Sequence, residues 1–162
     1  MKGGRRIQIV LLLVVVALSG GSGPGLAQDA RPDAQPAAAA RRTFTEADGV
    51  RLMNELQQAL NTNNRSRFLK TFDAKRMPGY TAFRDQVAEF FEKYDGFEAS
   101  YHVTQVAMDG EFGALLADFE LYARPSDGVT PSARKKVRLR LVTSWNGAQW
   151  KIADLSPRSW LE

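Results

Sequence analysis

The chain has no cysteine and a single histidine, His102, among its 162 residues. Without cysteine it cannot form a disulfide framework, use a thiol nucleophile, or bind zinc or an iron–sulfur cluster through thiolates. One histidine cannot supply the several imidazoles that most catalytic zinc sites use. A P-loop, a dinucleotide fingerprint, a calcium loop and a nucleophile elbow are also missing. The sequence therefore predicts no metal site and no cofactor.

The main part of the chain also lacks an excess of either charge. The formal net charge is +4, from 22 basic and 18 acidic residues. Six of the basic and two of the acidic residues precede residue 44, which leaves 16 of each sign in the remainder. Because nucleic-acid binding needs an uncompensated basic surface, we expect no nucleic-acid partner.

The first 27 residues have the three parts of a secretory signal peptide. A basic head over residues 1–6 precedes an apolar run over 7–18 and a small-residue stretch that ends at Ala27. The run is shorter than the roughly 20 residues of a transmembrane helix. We predict cleavage before Gln28, export to the periplasm or outside the cell, and no stable membrane anchor after cleavage. The alternative is an uncleaved amphiphilic anchor.

Two segments of different composition follow the predicted signal peptide. Residues 28–43 are rich in Ala, Pro, Gln and Arg and have no large apolar side chain. They cannot bury enough surface to offset the entropy of ordering, so we predict a flexible linker. Residues 44–162 suffice for one modest core and are predicted to form a single domain.

Three helical patterns open this domain. Thr45 and Asp48 have the spacing of a capping pair for a first helix that ends near Asn61. A short second helix is predicted around Phe68, and a third over residues 81–94. The third helix has an apolar stripe that needs a broad apolar partner. The stripe consists of Phe83, Val87, Phe90, Phe91 and Tyr94.

After Gly96 the apolar period changes from about 3.6 residues to 2, which marks a change from helix to strand. Four alternating segments follow and predict one antiparallel sheet. Their apolar positions are Phe97 to Val103, Leu115 to Leu121, Val137 to Leu141, and Trp150 with Ile152. Asp109-Gly110 and Asn146-Gly147 are typical of two-residue hairpin turns.

These turns also predict how the strands pair. A turn at Asn146-Gly147 pairs Leu139 with Asp154, which places Asp154 on the apolar face of the sheet. In the first hairpin, the turn and the match of the apolar faces disagree by one residue. This mismatch predicts a bulge near Thr104-Gln105 and a bend in the sheet. The expected fold class is α+β, with three N-terminal helices packed on a strongly curved four-stranded antiparallel sheet to form a cone.

The closing segment, Asn146-Gly147-x-x-Trp150-Lys151-Ile152-Ala153-Asp154, and the order of the elements resemble the nuclear-transport-factor-2-like superfamily. The resemblance covers roughly residues 44–157. It implies a cone-shaped α+β barrel whose mouth can bind a small apolar molecule. The superfamily includes polyketide cyclases, steroid isomerases, dehydratases and epoxide hydrolases, and also members without a known reaction. The fold therefore does not decide the function.

One hypothesis is a cofactor-independent isomerase, cyclase or hydrolase. Inside an apolar cone, desolvation raises the pKa of a carboxyl group, so Asp154 is the candidate general base. Tyr101, on the same predicted face, is the candidate acid or oxyanion donor. The alternative is that Asp154 reaches solvent and that Tyr101 is a core aromatic with a satisfied hydroxyl. His102 alternates with Tyr101 and is expected on the outer face, so no His–Asp dyad is predicted.

The hypothesis that we favour from the sequence is non-catalytic. The domain would bind a small apolar ligand in the cone, or assemble with itself or with another protein. The expected lining of the cavity is Phe83, Val87, Tyr101, Phe119, Leu139, Ile152 and Asp154. If bulky Phe and Tyr side chains fill the cone instead, the domain is a scaffold that acts through a partner contact.

Five basic residues lie between positions 134 and 140. A binding site for an anionic lipid or a nucleic acid would need aromatic rings or further cations beside them. Opposite carboxylates on the neighbouring strand instead predict a solvated outer face with cross-strand ion pairs. The expected pairs are Glu120 with Arg138 and Asp118 with Arg140. Leu116 and Tyr122 share this face, which makes it the candidate surface for a homodimer.

Overall fold

The computed structural model describes residues 42–162, so the predicted signal peptide and nearly all of the predicted linker lie outside the described residues. The described elements are α1 (Glu46–Asn61), α2 (Arg65–Lys70), α3 (Tyr80–Lys93), β1 (Tyr94–Asp109), β2 (Phe112–Pro125), β3 (Ala133–Trp145), β4 (Trp150–Ser156) and a 3₁₀ helix over Ser159–Leu161. No helix in this part of the chain is both long enough and apolar enough to span a membrane.

Local side-chain chemistry accounts for where the helices begin. Thr45 and Asp48 form the predicted capping box at the start of α1, with Thr45 Oγ1 accepting from the Asp48 amide at 3.3 Å and the Asp48 carboxylate accepting from the Thr45 amide at 3.0 Å. Asn64 Oδ1 accepts from the Arg67 amide at 2.8 Å and caps α2. Gly79, with a φ of 66°, precedes α3 in a left-handed conformation that glycine adopts without steric cost.

The four strands form one antiparallel sheet in the order β1-β2-β3-β4. The bulge predicted in the first hairpin is confirmed, because the pairing shifts between Val103 and Gln105. The predicted turn of this hairpin is wrong by one residue: Asp109 pairs with Phe112, so the turn residues are Gly110 and Glu111. The bulge bends a long strand, which lets the sheet curve around the helices.

The predicted pairing of β3 with β4 is wrong. Trp145 pairs with Trp150, so the connection has four residues rather than two, and Asn146 Oδ1 accepts the amides of Ala148 and Gln149 within it. A second irregularity follows in β4 at Ala153. The two effects together place Asp154 opposite Val142 instead of Leu139.

The helices pack on the inner face of the curved sheet. The predicted stripe of α3 points into this core, with Phe91 only partly buried and the other members buried. The segment after α2 pairs with the edge strand β4. The Ile152 amide donates to Thr71 O at 3.0 Å, and the Asp73 amide donates to Ile152 O at 2.8 Å. The α+β architecture of three helices on a curved four-stranded sheet is therefore confirmed.

Candidate functional site

The aliphatic and aromatic side chains predicted to line a cavity belong to the packed core. Phe83, Val87, Phe119, Leu139 and Ile152 are all at most 3% exposed. The same core includes another side chain, Trp160, which lies in the 3₁₀ helix after β4 and is 4% exposed.

The indole of Trp160 packs edge-on against aromatic rings from three different elements. The distances between ring centroids are 5.2 Å to Phe119, 5.8 Å to Phe90 and 6.3 Å to Phe68. These separations are within the range of favourable aromatic pairs. The side chain of Trp160 therefore takes the central position that a small apolar ligand would need, and the sequence analysis missed it. An apolar Trp-Leu pair soon after the last strand is the only local signal that could have indicated it.

The segment that carries Trp160 is held from two sides. Lys135 Nζ donates to the carbonyl oxygen of Trp160 at 3.1 Å and also to that of Glu162. Gln86 on α3 donates to the carbonyl oxygen of Arg158 at 3.3 Å. Burial lowers the pKa of Lys135, and the nearby charge of Lys93 lowers it further. The sequence grouped Lys135 with the basic outer face, but its ammonium group holds the segment that fills the cone.

The prediction that Asp154 points into the cone is wrong. Its side chain is 41% exposed, and its Oδ1 accepts from Arg158 Nη2 at 2.9 Å. The same guanidinium donates to Pro78 O at 3.3 Å and lies 5.4 Å from the ring centroid of Phe83. An exposed, ion-paired carboxylate lacks the apolar surroundings on which the general-base hypothesis depends.

Tyr101 and Asp154 are not brought together. The Tyr101 hydroxyl lies 2.8 Å from Asn54 Oδ1 and 3.3 Å from Val50 O, so it is hydrogen-bonded to α1. Burial raises the pKa of Tyr101. Its strand, β1, is one edge of the sheet, and β4 is the other. The Tyr101 hydroxyl is bonded to α1 and the Asp154 carboxylate to Arg158, so the two groups have separate partners and do not form an acid–base pair.

The outer face of the sheet has cross-strand ion pairs, as the sequence predicts, but with a different pairing. Asp118 lies opposite Arg138 and Glu120 lies opposite Lys136, two residues from the expected register. Arg138 Nε donates to Asp118 Oδ1 at 2.9 Å, and Arg134 donates to Glu120. These hydrogen bonds lower the pKa of both carboxyl groups.

This face also has an open groove of about 610 Å³. Its polar lining residues are Ser100, His102, Asp118, Glu120, Lys136 and Arg138. His102 lies opposite Asp118 and is exposed, as expected from its alternation with Tyr101. Among residues 42–162 no three side chains of His, Asp or Glu are grouped closely enough to hold a metal ion. The groove offers paired charges at a surface, which suits contact with another charged surface.

No protein-family model and no curated protein matches the sequence. Solved structures do match the fold. A scytalone dehydratase-like protein from Novosphingobium aromaticivorans has a TM-score of 0.58 and 12% identity, over 67% of this chain and 79% of that chain. A nuclear transport factor 2-like superfamily protein from Salmonella enterica has a TM-score of 0.58 and 10% identity, over 67% and 86%.

A hexachlorocyclohexane dehydrochlorinase (LinA, type 2) has a TM-score of 0.55 and 10% identity, over 67% of this chain and 80% of that chain. Identities this low establish the fold and no more. The described domain therefore has the nuclear-transport-factor-2-like fold, which enzymes share with proteins of unknown function.

Proposed function

We propose that this protein is an exported, non-catalytic module that assembles with a second copy of itself through the outer face of its sheet. The proposal of export comes from the signal-peptide pattern of residues 1–27. The proposal of assembly depends mainly on the arrangement of charges on the outer face. The packed interior and the exposed, ion-paired Asp154 support a role without catalysis.

The outer face has an acidic column beside a basic column. The acidic column consists of Asp118 and Glu120 on β2, and the basic column of Arg134, Lys136, Arg138 and Arg140 on β3. A two-fold axis parallel to the strands and between β2 and β3 would set each acidic column opposite the basic column of the second copy. A closed dimer of this kind is self-complementary in charge.

Arg140 lies at one end of the basic column. It has no carboxylate oxygen within 4.0 Å among residues 42–162, so assembly through this face would not have to break an ion pair of Arg140. Tyr122, which is 43% exposed, extends from the same face beside the acidic column. Tyrosine is common at the centre of protein interfaces because it combines a large apolar ring with a polar tip.

A charge exchange tests the proposal. The variant D118R/E120K/K136E/R138D exchanges the two carboxylates with the two cations that lie opposite them. Each chain therefore keeps its net charge and these two cross-strand pairs with the signs reversed, and loses only the ion pair of Arg134 with Glu120. We expect this variant to dimerise with itself and to be excluded from dimers with the wild type, because like charges would then face each other. Native mass spectrometry of a mixture with distinguishable masses measures this directly.

A matched exchange on α3, R84D/D85R, alters an exposed ion pair away from the sheet and should mix freely with the wild type. If the wild type is monomeric, or if the column exchange mixes as freely as the α3 exchange, assembly through this face is refuted.

Binding of a small apolar ligand within the cone is the second candidate function. The environment of Trp160 favours it. The indole is a planar apolar ring in contact with aromatic side chains, so the same surroundings suit a free ligand of that shape. The Nε1 of Trp160 is buried and has no hydrogen-bond partner among the described residues. A ligand would have to displace this ring. In the variant W145F/W150F, which leaves Trp160 as the single tryptophan, an added aromatic ligand would shift the emission to longer wavelength if the indole moved into water.

A further inference from the structure

We propose that the groove between the loop after α2 and the β3–β4 connection is a binding site for a phosphate monoester. This groove, here called the Trp145 groove, has a volume of about 620 Å³. Its lining includes Trp145, three cations (Lys75, Arg76 and Lys151) and one carboxylate, Asp73. It shares no lining residue with the groove on the outer face, so the inference is independent of the proposed dimer.

None of the three cations forms an ion pair within the described residues. Among residues 42–162 none of their side-chain nitrogens lies within 4.0 Å of a carboxylate oxygen. Lys151 Nζ donates to Lys70 O, which leaves it two further hydrogens to donate. On the outer face, by contrast, Lys136 and Arg138 both have carboxylate partners. Like charges gathered in one groove repel each other, and a bound anion would relieve that repulsion.

The one carboxylate in the lining, Asp73, is hydrogen-bonded to neutral groups and forms no ion pair with these cations. Asp73 Oδ1 accepts from the amides of Lys75 and Arg76 at 3.1 and 3.3 Å, and Oδ2 accepts from Ser144 Oγ at 3.0 Å. Ser144 is fully buried, so this hydrogen bond fixes the loop to β3. Asp73 therefore holds the loop that carries two of the cations in a set position. Such preorganisation lowers the entropic cost of binding.

Trp145 gives the groove a flat apolar wall. Its ring contacts Trp150 edge-on, with centroids 5.9 Å apart, and the guanidinium of Arg42 lies 4.3 Å from its centroid. An aromatic wall beside several cations suits a ligand that has a planar organic group and a compact anion. Three cations match a doubly charged phosphate better than a singly charged carboxylate, and Lys and Arg are the usual phosphate donors.

The experiment uses phenyl phosphate, inorganic phosphate and phenol as probes of the purified protein. Binding is followed by NMR through the Trp145 indole N–H and the amides of Lys75 and Arg76. We expect saturable shifts with phenyl phosphate, weaker binding of inorganic phosphate, and none of phenol. In the variant K75Q/R76Q/K151Q, the affinity for phenyl phosphate should fall by about tenfold or more, because charge-assisted hydrogen bonds are lost.

The matched control is R65Q/R84Q/K93Q, which removes three cations of α2 and α3 outside the groove and should change the affinity by less than about twofold. The variant W145F tests the wall, and it should reduce the preference for phenyl phosphate over inorganic phosphate. An equal loss of affinity in the groove variant and the control would show diffuse charge attraction and overturn the site. Absence of saturable shifts with either phosphate, or equal binding of the two phosphates by the wild type, would also refute the proposal. Native dispersion of the amide spectrum confirms that each variant is folded.

Discussion

Replacement of Trp160 by alanine is the most direct perturbation of the filled cone. The side chain is 4% exposed and packs on Phe68, Phe90 and Phe119, so the change removes nearly all of a large buried ring. Truncation of a buried Phe or Trp costs about 3–5 kcal/mol, because transfer free energy and packing contacts are both lost. Small domains are stable by only about 5–15 kcal/mol. We therefore expect W160A to lose a large fraction of the free energy of unfolding.

The control for this prediction is W160F. Phenylalanine keeps a ring among the same neighbours and removes an indole N–H that has no hydrogen-bond partner in the described part of the chain. The loss of apolar area and the relief of an unpaired donor, which is about 1–3 kcal/mol, act in opposite directions. The free energy of unfolding of W160F should therefore stay much closer to that of the wild type than the value for W160A. Urea denaturation measures all three.

Added indole provides a second readout for W160A. If the ring occupies a space that the surrounding core does not close, free indole should rebind there and raise the Tm of the variant, but not that of the wild type. A loss of less than about 1 kcal/mol in W160A, together with no effect of indole, would show that the core does not depend on this ring. The argument that Trp160 fills the cone would then be wrong.

Two further predictions concern single contacts. Y101F should be less stable than the wild type by about 0.5–1.5 kcal/mol at neutral pH, because it loses the hydrogen bond to Asn54. Burial raises the pKa of Tyr101, so the protonated hydroxyl stabilises the fold below its ordinary pKa of about 10, and this contribution disappears as the pH rises above that value. Between about pH 9 and 12 the free energy of unfolding should therefore fall less in Y101F than in the wild type. A flat difference between the two proteins across that pH range would contradict this reasoning. G113A should destabilise the fold by about 1–3 kcal/mol or more, since the added Cβ would lie 2.3 Å from a ring carbon of Phe44. In the control G147A no atom lies within 4 Å of the added Cβ, so the fold should lose only the smaller free energy that a positive φ costs an alanine. Equal thermal denaturation midpoints for the two alanine variants would refute the steric argument.

The features that sequence predicted correctly are those that short-range chemistry determines. The capping box at Thr45 and Asp48 and the apolar stripe of α3 each depend on side chains within a few turns of helix. The bulge at Val103–Gln105 was predictable because two constraints on one hairpin disagreed. The sign of the charges on β2 and β3 predicted ion pairs on the outer face even though the register was wrong by two residues.

There is a definite structural reason why the sequence did not predict the position of Asp154. Asn-Gly is favoured both in two-residue turns and in longer connections, and Asn146 here caps a four-residue connection with its side chain. The irregularity at Ala153 adds a second shift that alternation cannot reveal, because a buried alanine fits either face. In a strand, the faces exchange with each single-residue shift, so the two-residue error in the connection leaves the face unchanged and the irregularity at Ala153 moves Asp154 to the outer face.

The loss of the inward acid and the filling of the cone have separate structural causes. Asp154 lies on the outer face because of the irregularity in β4, whereas the interior is full because the segment after β4 turns back and inserts Trp160. Emptying the cone would therefore not restore a general base, and an inward acid would still find no room for a substrate. Two independent changes would be needed to obtain the enzyme that the fold alone allows. Catalysis by Asp154 inside the cone therefore lacks both of the features on which that hypothesis depends.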